Sequence, residues 1–382
     1  MSKPASSRRL VPLVLLAAAG TSVAVAALLL KGGTTPTPAP SASSSAPTTA
    51  APPASSASAP APSAAAPPPL PPLRDELPED VPAQREVLFA NMKTQLGLSD
   101  EALQKTREIF AGRKWMAQGN PKITKHPMTR AECQAIREKQ TFHAADARCG
   151  APNMVTVFDP AAGQTAESAK LCMDQYEYPN IPCDYPVTWV PSDDAQRLCQ
   201  AQGKRLCDAH EWEGACAGAL HEPEQDYTFG ERRLQQEYLH NKSREVVWAY
   251  GKTKNHALCA TGSRKSPKCY APTWQECGSN TYPAGAFPEC VSSFGVYDQH
   301  GNAAEHMNLP LVATELGARG GTGENEMKGS WFIFQQYEAH EDDCRWRAPA
   351  WHAGRLMADD AHMNYHLGFR CCKDLHESST RP

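Results

Sequence analysis

The stretch PVTWVPSDDAQRLCQAQGKRLCDAHEWEGACAG, residues Pro186–Gly218, predicts two helices joined by a short turn. The first is predicted over Ser192–Gln202, with Ser192 as its N-cap and Gly203 at its end, because its apolar residues share one face. Asp208 and Glu211 are spaced as a capping box, which predicts the start of a second helix. Elsewhere Gly, Pro, Asn and Asp recur every few residues. We therefore expect an α+β fold with short strands and little regular secondary structure.

Three later blocks accompany this stretch: GVYDQHGNAAEHM at Gly295–Met307, MKGSW at Met327–Trp331 and HLGFRCC at His366–Cys372. In this order the blocks resemble the formylglycine-generating enzymes, or sulfatase-modifying factors, which make up the FGE-sulfatase domain family. The resemblance covers roughly residues 174–371. It implies a C-type-lectin-like α+β fold for the main domain, which we predict over residues 129–375.

Composition and cysteine content restrict the class of protein. The chain has 382 residues and a formal net charge of −4. A nucleic-acid-binding protein is expected to present a basic face, so this balance argues against a nucleic acid partner. All fourteen cysteines lie between Cys133 and Cys372. A reducing cytosol rarely retains so many, which indicates an oxidising compartment and several disulfides. No CxxC pair occurs, so zinc held by thiolates has little support.

Residues 1–31 are predicted to form a signal anchor, that is, an uncleaved transmembrane helix. Leu10–Leu30 is apolar throughout and, at ~1.5 Å per residue, long enough to cross the hydrocarbon of a bilayer. Lys3 and Arg8–Arg9 precede it, so the N-terminus is expected to stay in the cytoplasm. We therefore predict an inner-membrane anchor with the globular domain extracytoplasmic, in the periplasm. Cleavage near Ala24–Ala26, as in a signal peptide, is left open.

A disordered tether and a short helical hairpin are predicted between the anchor and the main domain. Residues 32–75 are mostly Pro, Ala, Ser and Thr, and such a segment cannot bury enough apolar surface to fold. The hairpin is predicted over residues 76–128. Apolar residues recur there at helical spacing on both sides of a break at 97–100, where Ser99 can cap the second helix.

The family resemblance implies two disulfides. In the family, the cysteine of the first helix pairs with that of the GFRC motif, which matches Cys199 with Cys371. The cysteine at the end of the second helix pairs with one that follows the GGSW strand, which matches Cys216 with Cys344. The connectivity of the other cysteines stays open.

The resemblance also implies a calcium site. In the family, the loop before the WEW motif supplies one side chain, two backbone carbonyls and a carboxylate. The matching positions are Asp298, Gly301, Ala303 and Glu305. Calcium takes about six to eight oxygen ligands and accepts backbone carbonyls in tight turns, so these residue types suit it. Without the resemblance, the same spacing would indicate an exposed acidic turn.

The residues that make family members oxidases are missing here. Active members bind copper(I) through two cysteines shortly after GGSW, because thiolates suit that soft ion. In this chain the first cysteine after Ser330 and Trp331 is Cys344, which the resemblance assigns to the pair with Cys216. The first hypothesis is therefore a non-catalytic binding or scaffolding module. Ser330, Trp331 and the loop at 332–343 would line its groove for a peptide or protein ligand.

The second hypothesis is an oxidoreductase of the formylglycine-generating type, or of the non-haem iron type found among family relatives. It would hold copper or iron at an altered site formed by Cys344 and the loop histidines His340, His352, His362 and His366. The alternative is that these histidines lie on a solvated loop. A free-thiol count would separate the hypotheses, because the second requires Cys344 to be reactive.

Other catalytic motifs are absent from the sequence. It contains no Gly-rich phosphate loop, no GxSxG elbow and no HExxH motif. Adjacent acids occur at Asp342-Asp343 and Asp359-Asp360. We expect both pairs to be solvated loop residues.

Overall fold

A computed structural model describes residues 71–321, 323–349 and 362–375 of the chain. These residues fall in the second of two structural units, Pro67–Pro382. The predicted signal anchor and the predicted tether up to residue 70 lie outside them. Among the residues described, no helix combines the length and apolar character needed to cross a bilayer.

Two helices form the first part of the described chain, α1 at Val81–Leu96 and α2 at Asp100–Ala111. Asp80 caps α1 by accepting a hydrogen bond from the Ala83 N–H at 2.8 Å. Ser99 caps α2, as predicted. The apolar faces of both helices are buried in the same hydrophobic core as the main domain, so the pair packs against it.

Two disulfides fasten the segment that follows. Helix α3 at Arg130–Arg137 carries Cys133, which is bonded to Cys183. A short 3₁₀ turn ends at Cys149, which is bonded to Cys172. These bonds fix an otherwise irregular stretch to the domain.

The main domain contains two small sheets. The first contains β1 (Met154–Val157), β2 (Leu171–Asp174), β3 (Arg205–Leu206) and β7 (Cys371–Asp374), all antiparallel in the order β1-β2-β7-β3. The second contains β4 (Ala304–Leu309), β5 (Glu324–Lys328) and β6 (Leu367–Phe369) in the order β5-β4-β6. In the second sheet β4 pairs antiparallel with β5 and parallel with β6.

Four more helices are α4 (Ser192–Ala201), α5 (Ala209–Ala217), α6 (Pro223–Asp226) and α7 (Arg233–Ser243). The first two lie where the opening stretch predicts them. Ser192 is the first helical residue rather than the cap, because the extended residue Pro191 occupies the N-cap position. The capping box of Asp208 and Glu211 is present before α5, as predicted.

Disulfides supplement a mixed α/β fold that has few regular elements. All fourteen cysteines lie in the described residues, and none is free. The bonds join 133–183, 149–172, 199–371, 207–372, 216–344, 259–290 and 269–277. The Cys199–Cys371 bond spans 172 residues and ties α4 to β7. In the chain-entropy model a loop of that length stabilises the fold by roughly 5 kcal/mol.

Candidate functional site

Ser330 follows strand β5 and is fully buried. Its Oγ accepts a hydrogen bond from the Gly301 N–H at 2.9 Å and donates one to Asp342 Oδ2 at 3.1 Å. Ser330 therefore connects the candidate calcium loop to the loop that follows Trp331. Its hydroxyl is already engaged on both sides within the domain.

Trp331 is also buried, with 5% of its surface exposed. Its ring stacks on His366 with centroids 4.6 Å apart, and His340 lies 5.4 Å away. His340 stacks in turn on Trp346 at 4.4 Å. Within the described part of the chain, the Trp331 indole N–H has no hydrogen-bond acceptor. The exposed surface next to this aromatic cluster belongs to residues 335–339.

Cys344 is bonded to Cys216, which is the pair that the resemblance implies. His300 lies against this bond, with its Nε2 3.3 Å from Cys216 Sγ and 3.8 Å from Cys344 Sγ. The Ala249 N–H donates to the same Nε2 at 3.0 Å, so that nitrogen is unprotonated. Burial lowers the pKa of His300, which keeps the ring neutral.

Among the described residues, no loop histidine joins Cys344 in a group of potential metal ligands. The described residues contain three groups of potential metal ligands, and within each group the ligand atoms lie within 4.8 Å of one another. The groups are Cys216, His300 and Cys344; Cys207, Glu211 and Cys372; and Glu213, Asp226 and His240. The cysteines of the first two groups are disulfide-bonded. His340 and His366 instead lie beside Trp331, and His352 falls outside the described residues.

Asp298, the first candidate calcium ligand, is buried in a left-handed turn with φ of 59°. Its Oδ2 accepts a hydrogen bond from the Gly285 N–H at 2.5 Å. Its Oδ1 is buried and has no hydrogen-bond partner among the described residues. Gly301 approaches Ala260 so closely that a Cβ there would lie 2.7 Å from the Ala260 carbonyl. The turn therefore leaves one carboxylate oxygen without a donor.

Glu305, the other candidate carboxylate ligand, is already paired. Arg370 donates to both of its oxygens, at 2.5 and 2.7 Å, and Trp212 Nε1 donates to Oε2 at 3.0 Å. Burial raises the pKa of Asp298 to about 7 and that of Glu177 well above its usual range, with nearby carboxylates adding to both shifts. The buried carboxylates of Asp298, Glu177 and Glu305 therefore lie near the guanidinium of Arg370, which contacts Glu305 directly.

Two residues of the quoted sequence blocks, Lys328 and His306, form buried polar contacts. Lys328, in the GGSW-like motif, places its Nζ 2.5 Å from Glu213 Oε1, and Arg347 donates to the same carboxylate at 2.9 Å. His306, in the WEW-like motif, lies 2.8 Å from the Val190 carbonyl through Nε2, and burial lowers its pKa to about 3. Both residues belong to the interior of the domain.

The expectation that Asp342 and Asp343 are solvated is wrong. Asp342 is 1% exposed and Asp343 is 2% exposed. Besides Ser330, Asp342 accepts a hydrogen bond from Trp248 Nε1 at 3.1 Å, and Asp343 forms an ion pair with Arg244 at 2.8 Å. These partners are distant in sequence, so the acid pair alone gave no sign of them. Asp359-Asp360 lies outside the described residues.

Comparison with known proteins identifies one family and several solved structures to which this chain is similar. The model of the sulfatase-modifying factor enzyme 1-like domain matches residues 121–375. The structure of PvdO from Pseudomonas aeruginosa matches at 15% identity, covering 58% of this chain and 91% of that chain with a TM-score of 0.29. The crystal structure of CarF matches at 15% identity, covering 68% and 86% with a TM-score of 0.29. No curated protein matches.

Proposed function

The chain belongs to the family of sulfatase-modifying factor enzyme 1-like domains, and within it we propose that this protein is a non-catalytic binding module. One observation carries the proposal: the Cys344 sulfur is bonded to Cys216. Copper(I) binds thiolates, and a sulfur in a disulfide carries no such charge. The domain then retains its fold while lacking the pair of thiolates that oxygen activation in the family requires.

The remaining cysteines support the same conclusion. All fourteen are paired, so no second thiol stands near Cys344 to complete a two-thiolate site. Cys344 is fully buried and its partner Cys216 is 2% exposed, which protects the bond from reductants. A buried disulfide of this kind stabilises a fold and does not exchange readily.

The proposed ligand is a peptide segment of another protein that docks beside Trp331. Residues 335–339 are exposed there, whereas the preceding Phe332, Ile333 and Phe334 are buried and anchor the loop.

Membrane attachment and fold type are further parts of the proposal. Residues 1–31 would anchor the chain, residues 32–75 would act as the tether, and the domain would adopt a C-type-lectin-like arrangement in the periplasm. The seven disulfides support an oxidising compartment. Protease added to spheroplasts is expected to degrade the domain, whereas protection from protease would contradict this location.

We also propose calcium as a stabilising ion bound in the turn at Asp298, with the Gly301 and Ala303 carbonyls. The excess of buried carboxylates and the unpartnered Asp298 Oδ1 support a cation there. Glu305 fits less well, because Arg370 and Trp212 already occupy its oxygens. Glu305 would contribute negative charge to the site and would bind calcium only through the lone pairs that Arg370 and Trp212 leave free.

Metal analysis and thiol titration of the purified full-length chain test the proposed function. Calcium without stoichiometric copper or iron, together with no reactive thiol after denaturation, is the expected result. Stoichiometric copper or iron that is lost in Cys344→Ser would contradict a non-catalytic role. The matched control is Cys269→Ser, which breaks a different disulfide, the Cys269–Cys277 bond, 75 residues before Cys344 in the sequence.

A second candidate function is the oxidoreductase, and the position of His300 is the observation that favours it. Reduction of the Cys216–Cys344 bond by a dithiol would leave two thiols beside the unprotonated His300 Nε2. Two thiolates and an imidazole form a ligand set for copper or zinc. Copper uptake only after reduction, together with oxidation of a substrate thiol by dioxygen, would support this function.

A further inference from the structure

Two segments of the chain carry cations and no acids. Residues 109–131 contain five Lys or Arg and no Asp or Glu, and residues 246–275 contain another five with no acid. The whole chain, in contrast, has 38 Lys and Arg against 42 Asp and Glu. Positive charge is therefore concentrated in two places of an otherwise acidic protein.

The fold brings these two segments together around one pocket of about 450 Å³. The first segment contributes Lys125, and the second contributes Arg264 and Lys265. Asn280 joins them, because its Oδ1 accepts a hydrogen bond from the Lys125 N–H at 2.7 Å and its Nδ2 donates to the Arg264 carbonyl at 2.6 Å. Asn280 is 6% exposed, so this connection is part of the folded domain.

The second segment is also fastened to the loop after Trp331. The Ser263 N–H donates to the Phe332 carbonyl at 2.7 Å, and Gln336 Nε2 donates to the Ser263 carbonyl at 2.9 Å. Ser263 Oγ donates to the Asn280 carbonyl at 2.7 Å. The pocket is thus held in place relative to the proposed peptide surface.

The cations of the pocket are not neutralised by acids in the part of the chain that the structure describes. Lys125, Arg264 and Lys265 are exposed, and none of them forms an ion pair with an acid in the described ranges. The Lys265 Nζ lies 5.7 Å from the ring centre of Tyr337 and 5.9 Å from that of Tyr365. Unpaired charges of one sign in a concave site attract an oppositely charged ligand.

The rest of the lining suits a peptide. Ile123, Pro127 and Pro267 give the pocket apolar surface beside the cations. A second cavity of about 270 Å³ shares Lys265 and is lined by residues of the 333–337 loop, including Tyr337. Alternating apolar and cationic surface fits a segment with both carboxylate and apolar side chains. Nucleic acid would require a longer positive surface that follows a phosphate backbone.

We propose that this pocket, lined by Lys125, Arg264 and Lys265, binds the carboxylate side chains of an acidic peptide segment in a partner protein. The inference rests on the proposed binding function and names its ligand class. The carboxylates would pair with the three cations, while the flanking residues of the segment would lie along Tyr337 toward Trp331.

Fluorescence anisotropy with a labelled Ala–Glu repeat peptide tests the proposal on the full-length chain at low salt. The triple variant Lys125→Ala, Arg264→Ala, Lys265→Ala is expected to raise the Kd roughly tenfold, as three partly exposed ion pairs are lost. The matched control is the triple variant Lys105→Ala, Lys139→Ala, Lys242→Ala, which removes the same charge outside the pocket and is expected to change the Kd less than about twofold.

The following results would overturn the proposal: no binding of the Ala–Glu peptide below about 1 mM, an equal loss in both triple variants, or tighter binding of an oligonucleotide of equal charge. Charge reversal by Lys125→Glu provides a second measurement, because it is expected to weaken binding of the Ala–Glu peptide and to strengthen binding of an Ala–Lys peptide. Copper or iron in the purified protein would contradict the non-catalytic role and would leave the outcome of this titration unaffected.

Discussion

Lys328 Nζ lies 2.5 Å from Glu213 Oε1, and both side chains are fully buried. Glu326 Oε1 is 3.1 Å from the same Nζ, and Arg347 Nε donates to Glu213 at 2.9 Å. Two carboxylates and two cations therefore balance one another inside the domain. Loss of one member leaves a buried charge without compensation, which is the costly case for buried ion pairs.

Lys328→Met is expected to lower the free energy of unfolding by about 3–5 kcal/mol, because Arg347 alone then faces two buried carboxylates. Urea unfolding followed by tryptophan fluorescence measures the change. Lys139→Met, at an exposed position, is the control and is expected to stay within about 0.5 kcal/mol of the parent. A loss of less than about 1 kcal/mol for Lys328→Met would mean that the network does not need its lysine.

Local sequence predicts the parts of this fold that depend on neighbours in the chain. Capping by Ser99 and the capping box of Asp208 and Glu211 each use residues three positions apart, so they can be identified from the sequence. The shift of the α4 cap from Ser192 to Pro191 is a one-residue difference of the kind that helix ends commonly show.

The candidate site depends on contacts that no local pattern contains. Lys328 forms a hydrogen bond with Glu213, 115 residues away in the sequence, and Asn280 accepts one from the Lys125 N–H, 155 residues away. Asp342 is buried and accepts a hydrogen bond from Trp248, which lies 94 residues away in the sequence. The resemblance implied the pairs Cys199–Cys371 and Cys216–Cys344 but left the other five bonds open.

Calcium is expected to raise the melting temperature of the parent protein above its value in chelator. A site filled at about 100 times its Kd stabilises the fold by roughly 2.7 kcal/mol, or about 5 °C or more for a domain of this size. Asp298→Ala removes the unpartnered Oδ1 and is expected to lower the melting temperature and abolish its dependence on calcium. Differential scanning calorimetry in calcium and in EGTA provides the measurement.

Glu289→Gln is the control for that experiment, because it removes an exposed carboxylate that lies nine residues before Asp298 in the sequence. It is expected to keep the full calcium response. A calcium response that persists in Asp298→Ala would place the ion elsewhere.

His306 is expected to make the fold sensitive to acid. Its Nε2 contacts the Val190 carbonyl at 2.8 Å and its Nδ1 contacts Asn325 Nδ2 at 3.1 Å, so the neutral ring satisfies both partners. Burial lowers its pKa to about 3 from the ordinary 6.5. A depressed histidine pKa gives stability that is present above the unfolded pKa and is lost as pH falls through 6.5 toward 3.

At pH 5 the expected loss from His306 is about 2 kcal/mol relative to pH 7. His306→Gln keeps a donor and an acceptor but does not titrate, so its unfolding free energy should fall less between these two pH values. Urea titrations of both proteins at pH 7 and pH 5 measure the difference. Equal pH dependence in the two proteins would show that His306 is not the responsible group.

Removal of the Cys216–Cys344 bond is expected to destabilise the domain according to the length of the loop that it closes. The bond spans 128 residues, whereas Cys269–Cys277 spans 8. In the chain-entropy model these separations correspond to about 5 and about 2.5 kcal/mol. The double variant Cys216→Ser, Cys344→Ser should therefore lose roughly twice as much unfolding free energy as Cys269→Ser, Cys277→Ser, measured in urea without reductant. If the Cys216→Ser, Cys344→Ser variant instead keeps its stability, the two sulfurs are not bonded in the folded protein. The proposal of a non-catalytic binding module, which rests on that bond, would then be wrong.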